Sequence, residues 1–167
     1  MRRRTLVLLM LVSAAPMAAE LIDFRPPARL EGPARTDSAL GTTYRWHGAD
    51  AQQGRRVDIS VVSLPDELAG SKLASPTMCV AMFAGELRKQ STDFYVESVE
   101  ETLPAGPLAL TQLRWTRDDG AHFSTGVTAC ALYKQRFVAV NFGAASMDAV
   151  EFLPLVRARL SSLKLLF

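Results

Sequence analysis

The stretch LALTQLRWTRDDGAHFSTGVTACALYKQRFVAVNF, residues 108–142, decides the fold of this chain. Residues 108–117, 121–133 and 136–142 are strand-like runs in which apolar residues recur at alternate positions. Asp119-Gly120 is a favoured dipeptide of tight hairpins, and Lys134-Gln135 suits a second short turn. Because short connections join antiparallel neighbours, the stretch predicts a three-stranded antiparallel meander. Its apolar faces come from Leu113 and Trp115, from Phe123, Val127 and Ala129, and from Val138, Val140 and Phe142.

Two further strands are predicted in the first half of the chain. Residues 42–47 are strand-like, and 49–54 form a polar turn. Residues 55–64 then alternate, with Val57, Ile59 and Val61 on one face and Asp58 and Ser60 on the other. Period two with β-branched residues indicates a half-buried strand, so the pair is predicted to form a hairpin.

Ser75-Pro76 marks the start of the first predicted helix. A serine hydroxyl caps free backbone amides, and proline suits the first helical position. The helix is expected to run to about Gln90, with an apolar stripe that places one cysteine on its buried side. Residues 93–102 fit either a strand or a helical extension, and 103–107 (LPAGP) form a strong break. The stripe consists of Cys79, Met82, Phe83 and Leu87.

A second helix is predicted at the C-terminus. Gly143 ends the meander, Ser146 is expected to cap the helix, and Asp148 lies in its first turn. Pro154 predicts a kink or a fresh helical start.

The fold class is therefore α+β: an antiparallel sheet of about five to six strands with two packed helices, on one face of the sheet or on both. Residues 20–43 are expected to be an irregular lead-in, with at most a short strand near 28–31, and 44–167 a single domain. The order of elements resembles the PsbP-like α/β sandwich over most of residues 40–165. The resemblance implies a fold, carries no residue motif and transfers no functional residue.

Residues 1–19 are interpreted as a cleavable signal peptide. Arg2, Arg3 and Arg4 precede a short apolar run at 5–12 and a segment of small residues, and the expected cut follows Ala19. The apolar run is far shorter than the ~20 residues of a membrane-spanning helix. An uncleaved anchor or a buried helix is the alternative. We therefore expect a periplasmic or secreted bacterial protein with no stable membrane anchor.

The predicted cut changes the charge of the protein. The whole chain has 19 basic and 17 acidic residues, a net charge of +2. Without the three arginines at 2–4, 16 basic and 17 acidic residues remain, a net charge of −1. A nucleic-acid-binding domain usually carries a basic patch. The interspersed charges here predict no nucleic-acid partner.

The chain has two cysteines, Cys79 and Cys130. Export favours a disulfide between them, closing a loop of roughly 50 residues. The alternative is two separate buried thiols. Their spacing is not that of a CxxC redox motif.

Candidate catalytic and metal-binding residues are few. A zinc site needs three or four ligands, and the two histidines, His47 and His122, are isolated in the sequence. Asp118, Asp119 and His122 are the nearest approach to a catalytic cluster, although a hairpin turn uses the same residue types. The sequence also has an acidic group of three residues, Glu97, Glu100 and Glu101. Two carboxylates that face each other across a cleft can act as acid and base in glycoside hydrolysis. A solvated charged face is the preferred interpretation.

No GxSxG, GxxxxGK[ST] or GxGxxG motif occurs in the sequence. No cofactor, metal or catalytic residue is therefore predicted. Trp46 and Trp115 either line a binding surface or pack in the core.

These observations favour an exported, non-enzymatic domain that binds another protein, as an inhibitor, an immunity-type partner or an envelope accessory factor. Its contact loops are expected at 48–54, 65–75 and 103–107. The alternative is a small-ligand or lipid-binding module, with the ligand between helix and sheet and lined by Met78, Met82, Phe83 and the two tryptophans. An enzyme of an unrecognised class is the third hypothesis.

Overall fold

The computed structural model describes residues 19–50, 53–118, 120 and 122–167. The predicted signal peptide lies outside the described residues except for Ala19. In chain order the elements are β1 (Ile22–Asp23), β2 (Leu30–Asp37), β3 (Gly41–Gly48), β4 (Arg56–Ser63), a 3-10 turn (Asp66–Leu68), α1 (Pro76–Lys89), β5 (Asp93–Ala105), β6 (Leu108–Asp118), β7 (Phe123–Tyr133), β8 (Arg136–Ala145), α2 (Ser146–Leu160) and β9 (Lys164–Leu165).

Seven strands form one antiparallel sheet in the order β2-β3-β4-β8-β7-β6-β5, and β1 pairs with β9. The α+β class with two helices is confirmed, and so is the β6-β7-β8 meander. The strands outnumber the five or six expected, and the short β9 follows the last helix. Among the described residues, no helix is long and apolar enough to cross a membrane.

The main core lies between the sheet and α2. Val57, Ile59 and Val61 of β4 are buried there, as the alternation of the sequence predicts. Strand β8 alternates in the same way, and α2 completes the layer with Phe152 among its buried residues. We call this side of the sheet the α2 face.

Helix α1 packs on the opposite side, the α1 face, mainly over β6 and β7. Ser75 caps it as predicted, because its hydroxyl accepts a hydrogen bond from the backbone N–H of Met78 at 3.2 Å. Cys79 and Cys130 form the expected disulfide, which joins α1 to β7 in a second, smaller apolar cluster. Met82, assigned to the buried stripe from its spacing, is instead 47% exposed.

The lead-in at 20–43 is not irregular as expected. It contains β1, β2 and the first residues of β3, and β2 forms the sheet edge by pairing with β3. Gly32 and Pro33, joined by a cis peptide, lie inside β2 at a shift of its register. Seven of the eight residues of β2 are polar, Gly, Pro or Ala, so apolar residues do not alternate along the strand. Its extended conformation therefore depends on pairing with β3.

Residues 93–102 are a strand, and the predicted break at 103–107 starts later than expected. Leu103, Pro104 and Ala105 remain paired with β6, and the turn lies at 106–107. Pro104 is compatible with a strand because β5 is an edge of the sheet. Proline has no backbone N–H, and on the outward side of an edge strand no hydrogen bond between strands is lost.

Helix α2 is continuous from Ser146 to Leu160, with exposed Pro154 inside it. Ser146 does not cap the helix. It is the first helical residue, and its hydroxyl lies 3.2 Å from the Thr125 hydroxyl. Asp148 does lie in the first turn, where it binds the Arg55 guanidinium.

Candidate functional site

The residues singled out for metal binding and catalysis lie on different elements of the fold. His47 is exposed on β3, with Nε2 3.9 Å from Glu31 Oε2, and His122 is exposed beside the 118–123 turn. Asp118 accepts a hydrogen bond from the Gly120 amide at 2.8 Å, an interaction typical of a turn, and Asp119 lies outside the described residues. Within the described ranges, no three His, Cys, Asp or Glu side chains are grouped as metal ligands.

Both tryptophans pack in the protein, on opposite faces of the sheet. Trp46 is 4% exposed and contacts Phe24 edge-to-face, with ring centroids 5.2 Å apart. Trp115 is also 4% exposed, and its indole lies over Gly126 and Gly143 on the α1 face. A Cβ at either glycine would overlap the ring, so the two glycines make room for it.

The acidic group Glu97, Glu100 and Glu101 lies on β5, the outermost strand. Residues 93–99 of β5 pair with β6 in unbroken register, and beyond them the register shifts before Leu103. We call Asp93–Val99 the edge segment. No strand of the described residues lies beside its outward side, and the segment is rich in residues that favour strands.

The two edges of the sheet differ in how they are protected. Natural edges are blunted by proline, bulges, charge or a covering segment. At the β2 edge, Pro33 and a register shift interrupt the strand. Arg35 Nη1 also donates a hydrogen bond to the Ala19 carbonyl at 3.3 Å, which brings residue 19 to this edge. At the β5 edge, the register shift and Pro104 affect only the second half of the strand. The edge segment is therefore the better surface for an added strand.

A cleft of about 190 Å³ lies beside α1, on the part of the α1 face formed by β3, β4 and β8. A second chamber of about 30 Å³ shares Arg56, Leu87 and Asn141 with it. We call the two together the α1 cleft. Phe83 and Leu87 line its helix side, so the predicted space between helix and sheet exists in part.

Asp58 lies on the floor of the α1 cleft and is 6% exposed. Arg45 Nε donates to Asp58 Oδ1 at 2.9 Å, and Arg56 Nε donates to Asp58 Oδ2 at 2.7 Å. One carboxylate therefore orients two guanidinium groups. The alternation of β4 put Asp58 on the polar face, and the structure shows that this face is also covered, with Ser60 5% exposed beside it.

Asn141 organises the wall between the two chambers. Its Oδ1 accepts hydrogen bonds from Trp115 Nε1 at 3.2 Å and from the Thr128 hydroxyl at 3.0 Å. Arg117 lies over the Trp115 ring, with its Cζ 5.8 Å from the ring centroid. Arg117 therefore lies at the smaller chamber together with Arg56.

No protein-family model matches the sequence, and no curated protein matches it. The functional conclusions below rest on the geometry of the edge segment and of the α1 cleft.

Proposed function

We propose that this protein is an exported domain that binds another protein, and that the edge segment accepts an extended strand of that partner. The observation that carries the proposal is the unbroken, outward-facing register of Asp93–Val99 at the end of the sheet. An added strand completes the free row of backbone donors and acceptors, and alternate side chains supply specificity.

The partner strand is expected to be basic. Strand β5 has four carboxylates, at 93, 97, 100 and 101, and no basic residue. Arg114 of β6 lies opposite Glu97, which leaves the other three without an opposite charge across the β5–β6 pairing. A second copy of this chain would bring a further four carboxylates to the same edge. Like-charge repulsion therefore disfavours self-pairing and favours a lysine- or arginine-bearing segment.

Apolar side chains at the edge supply the remaining contact area. Tyr95 and Val96 are 65% and 56% exposed and project from opposite faces of the strand. A partner strand would cover part of both. This arrangement suits an inhibitor, an immunity-type protein or an envelope accessory factor, the roles expected from the sequence.

The disulfide and the predicted signal peptide support a periplasmic or secreted location, which is part of the proposal. The α1 cleft is too small for a lipid or other large ligand, because the pockets that hold such molecules usually measure about 300–1,000 Å³. The cleft, at about 190 Å³, is smaller.

Peptide titration tests the proposal. A heptapeptide that alternates lysine and valine is added to the ¹⁵N-labelled protein, and amide hydrogen exchange is followed. We expect slowed exchange at the alternate amides of residues 93–99 that point away from β6, because the new ladder protects amides that face solvent. A peptide alternating glutamate and valine should leave these amides unchanged.

Val96→Lys places a charge at the edge and should abolish the protection by the lysine-valine peptide. Leu73→Lys is the matched control, since Leu73 is 69% exposed and lies outside every strand. Protection that is absent in the wild type, or that survives in Val96→Lys, would overturn the proposal.

A further inference from the structure

We propose that the α1 cleft binds a tetrahedral oxyanion, a phosphate or sulfate group, through Arg117 and Arg56. The site is separate from the edge segment, and the inference does not depend on the proposed function.

Arg117 is a cation without a matching anion among the described residues. Its Nε is buried and has no hydrogen-bond acceptor there. It also makes no ion pair with the described residues, and its guanidinium contacts the Trp115 ring. A buried N–H without an acceptor is costly, and such groups are rare in folded proteins. A bound anion would supply the missing acceptor.

Arg56 brings a second positive charge to the same chamber. Its Nε and Nη2 both bind Asp58, which also serves Arg45, so two guanidinium groups share one carboxylate. The group of three keeps a net charge of +1. The Arg56 Nη1 donors are left for another acceptor.

Among the described residues, the smaller chamber is lined by two positive side chains and no negative one. The charged residues there are Arg56 and Arg117, whereas Asp58 and Glu86 line the larger chamber. Glu86 is itself bound to Lys89 at 2.6 Å. The electrostatic potential therefore favours the charged end of an anion at the smaller chamber.

Neutral donors complete the site. The Oδ1 of Asn141 is engaged by Trp115 and Thr128, so its amide N–H groups remain for the cleft. The Ser124 hydroxyl lines the same chamber. Donors from four side chains suit a three- or four-oxygen anion better than a carboxylate, which has two oxygens, and guanidinium binds phosphate in a paired geometry.

The shape of the cleft allows either a free ion or the end of a larger molecule. The smaller chamber holds little more than one or two oxygen atoms, at about 30 Å³, and the adjoining 190 Å³ provides the rest of the volume. A phosphate monoester would place its organic part towards Phe83. Inorganic phosphate would place one or two of its oxygens in the smaller chamber and the rest of the ion in the adjoining part of the larger one.

The experiment follows the Nε–Hε resonance of Arg117 by NMR while inorganic phosphate, sulfate, glycerol phosphate or acetate is added at constant ionic strength, with chloride as the reference salt. We expect a saturable shift with phosphate and sulfate and a weaker effect with acetate. Tighter binding of glycerol phosphate than of inorganic phosphate would identify the ligand as an ester. The reverse order would identify the free ion.

Arg117→Met should lower phosphate affinity about tenfold or more, and Arg117→Lys should retain part of it, because the charge stays and the paired donors are lost. For these variants the shift of the Trp115 indole N–H reports binding. Arg25→Met, at an exposed position outside the cleft, should bind as the wild type does. Circular dichroism verifies that each variant folds. No saturable shift, an equal shift with chloride, or unchanged affinity in a folded Arg117→Met variant would overturn the proposal.

Discussion

The disulfide between Cys79 and Cys130 is predicted to supply a large part of the stability of this domain. The two residues are 51 apart in sequence, and the bond joins α1 to β7. In the chain-entropy description, a link that closes a loop of this length restricts the unfolded chain and stabilises the fold by about 4 kcal/mol. The free energy of unfolding is expected to fall by about 2 kcal/mol per molar urea, so reduction of the disulfide should lower the urea midpoint of unfolding by about 2 M.

The measurement is equilibrium unfolding in urea, followed by tryptophan fluorescence with and without a thiol reductant. The reduced sample is first unfolded and refolded, because both sulfurs are fully buried. The double variant Cys79→Ala/Cys130→Ala should be insensitive to reductant and should lie about 1 kcal/mol or more below the reduced wild type, owing to the small cavities left. Equal urea midpoints for the oxidised and reduced wild type would refute the reasoning.

Two further predictions concern packing and charge. Gly126→Ala should destabilise the protein by about 1–3 kcal/mol, because the new Cβ would overlap Trp115 Cζ2 and the Phe142 carbonyl oxygen. Gly85→Ala, in α1 with no atom within 4 Å of its Cβ position, should be neutral or stabilise by about 0.5–1 kcal/mol, and similar unfolding midpoints for both variants would contradict this. The hydrogen bond from Arg55 lowers the pKa of Asp148, so this pair stabilises the fold above the unfolded-state pKa of the carboxyl and is lost as pH falls through the lowered value. Asp148→Asn should lower the free energy of unfolding by about 2 kcal/mol at neutral pH and should have no effect once the wild-type carboxyl is protonated. An equal loss of stability at both pH values would exclude the ion pair as its cause.

Local signals in the sequence were sufficient for the centre of the fold. Alternation identified β4, β7 and β8, and the Ser75-Pro76 start identified α1, because each feature depends on residues close together in the chain. The disulfide followed from the number of cysteines. The lead-in was missed because β2 depends on pairing with β3, and a strand of mostly polar residues has no period of its own.

The candidate sites were harder to predict for the same reason. Nothing near Arg117 in sequence indicates that it lines the same chamber as Arg56, on a strand far along the chain. Asp58 was placed correctly on the polar side of β4, but only the position of α1 shows that this side is covered. The acidic group on β5 was found in the sequence, whereas its location at the open edge required the strand order.

The pairing of β4 with β8 has a consequence for how the chain can acquire its structure. Arg56–Ser63 lies in the middle of the sheet, and its partner on one side, Arg136–Ala145, is about half the chain away. Closure of such a distant pair is entropically demanding and slows folding. While the polypeptide is still being synthesised, its first half can form the β2-β3-β4 meander, but that meander keeps an open apolar surface until β8 is available to pair with it. The last third of the chain therefore sets the moment at which the domain becomes compact.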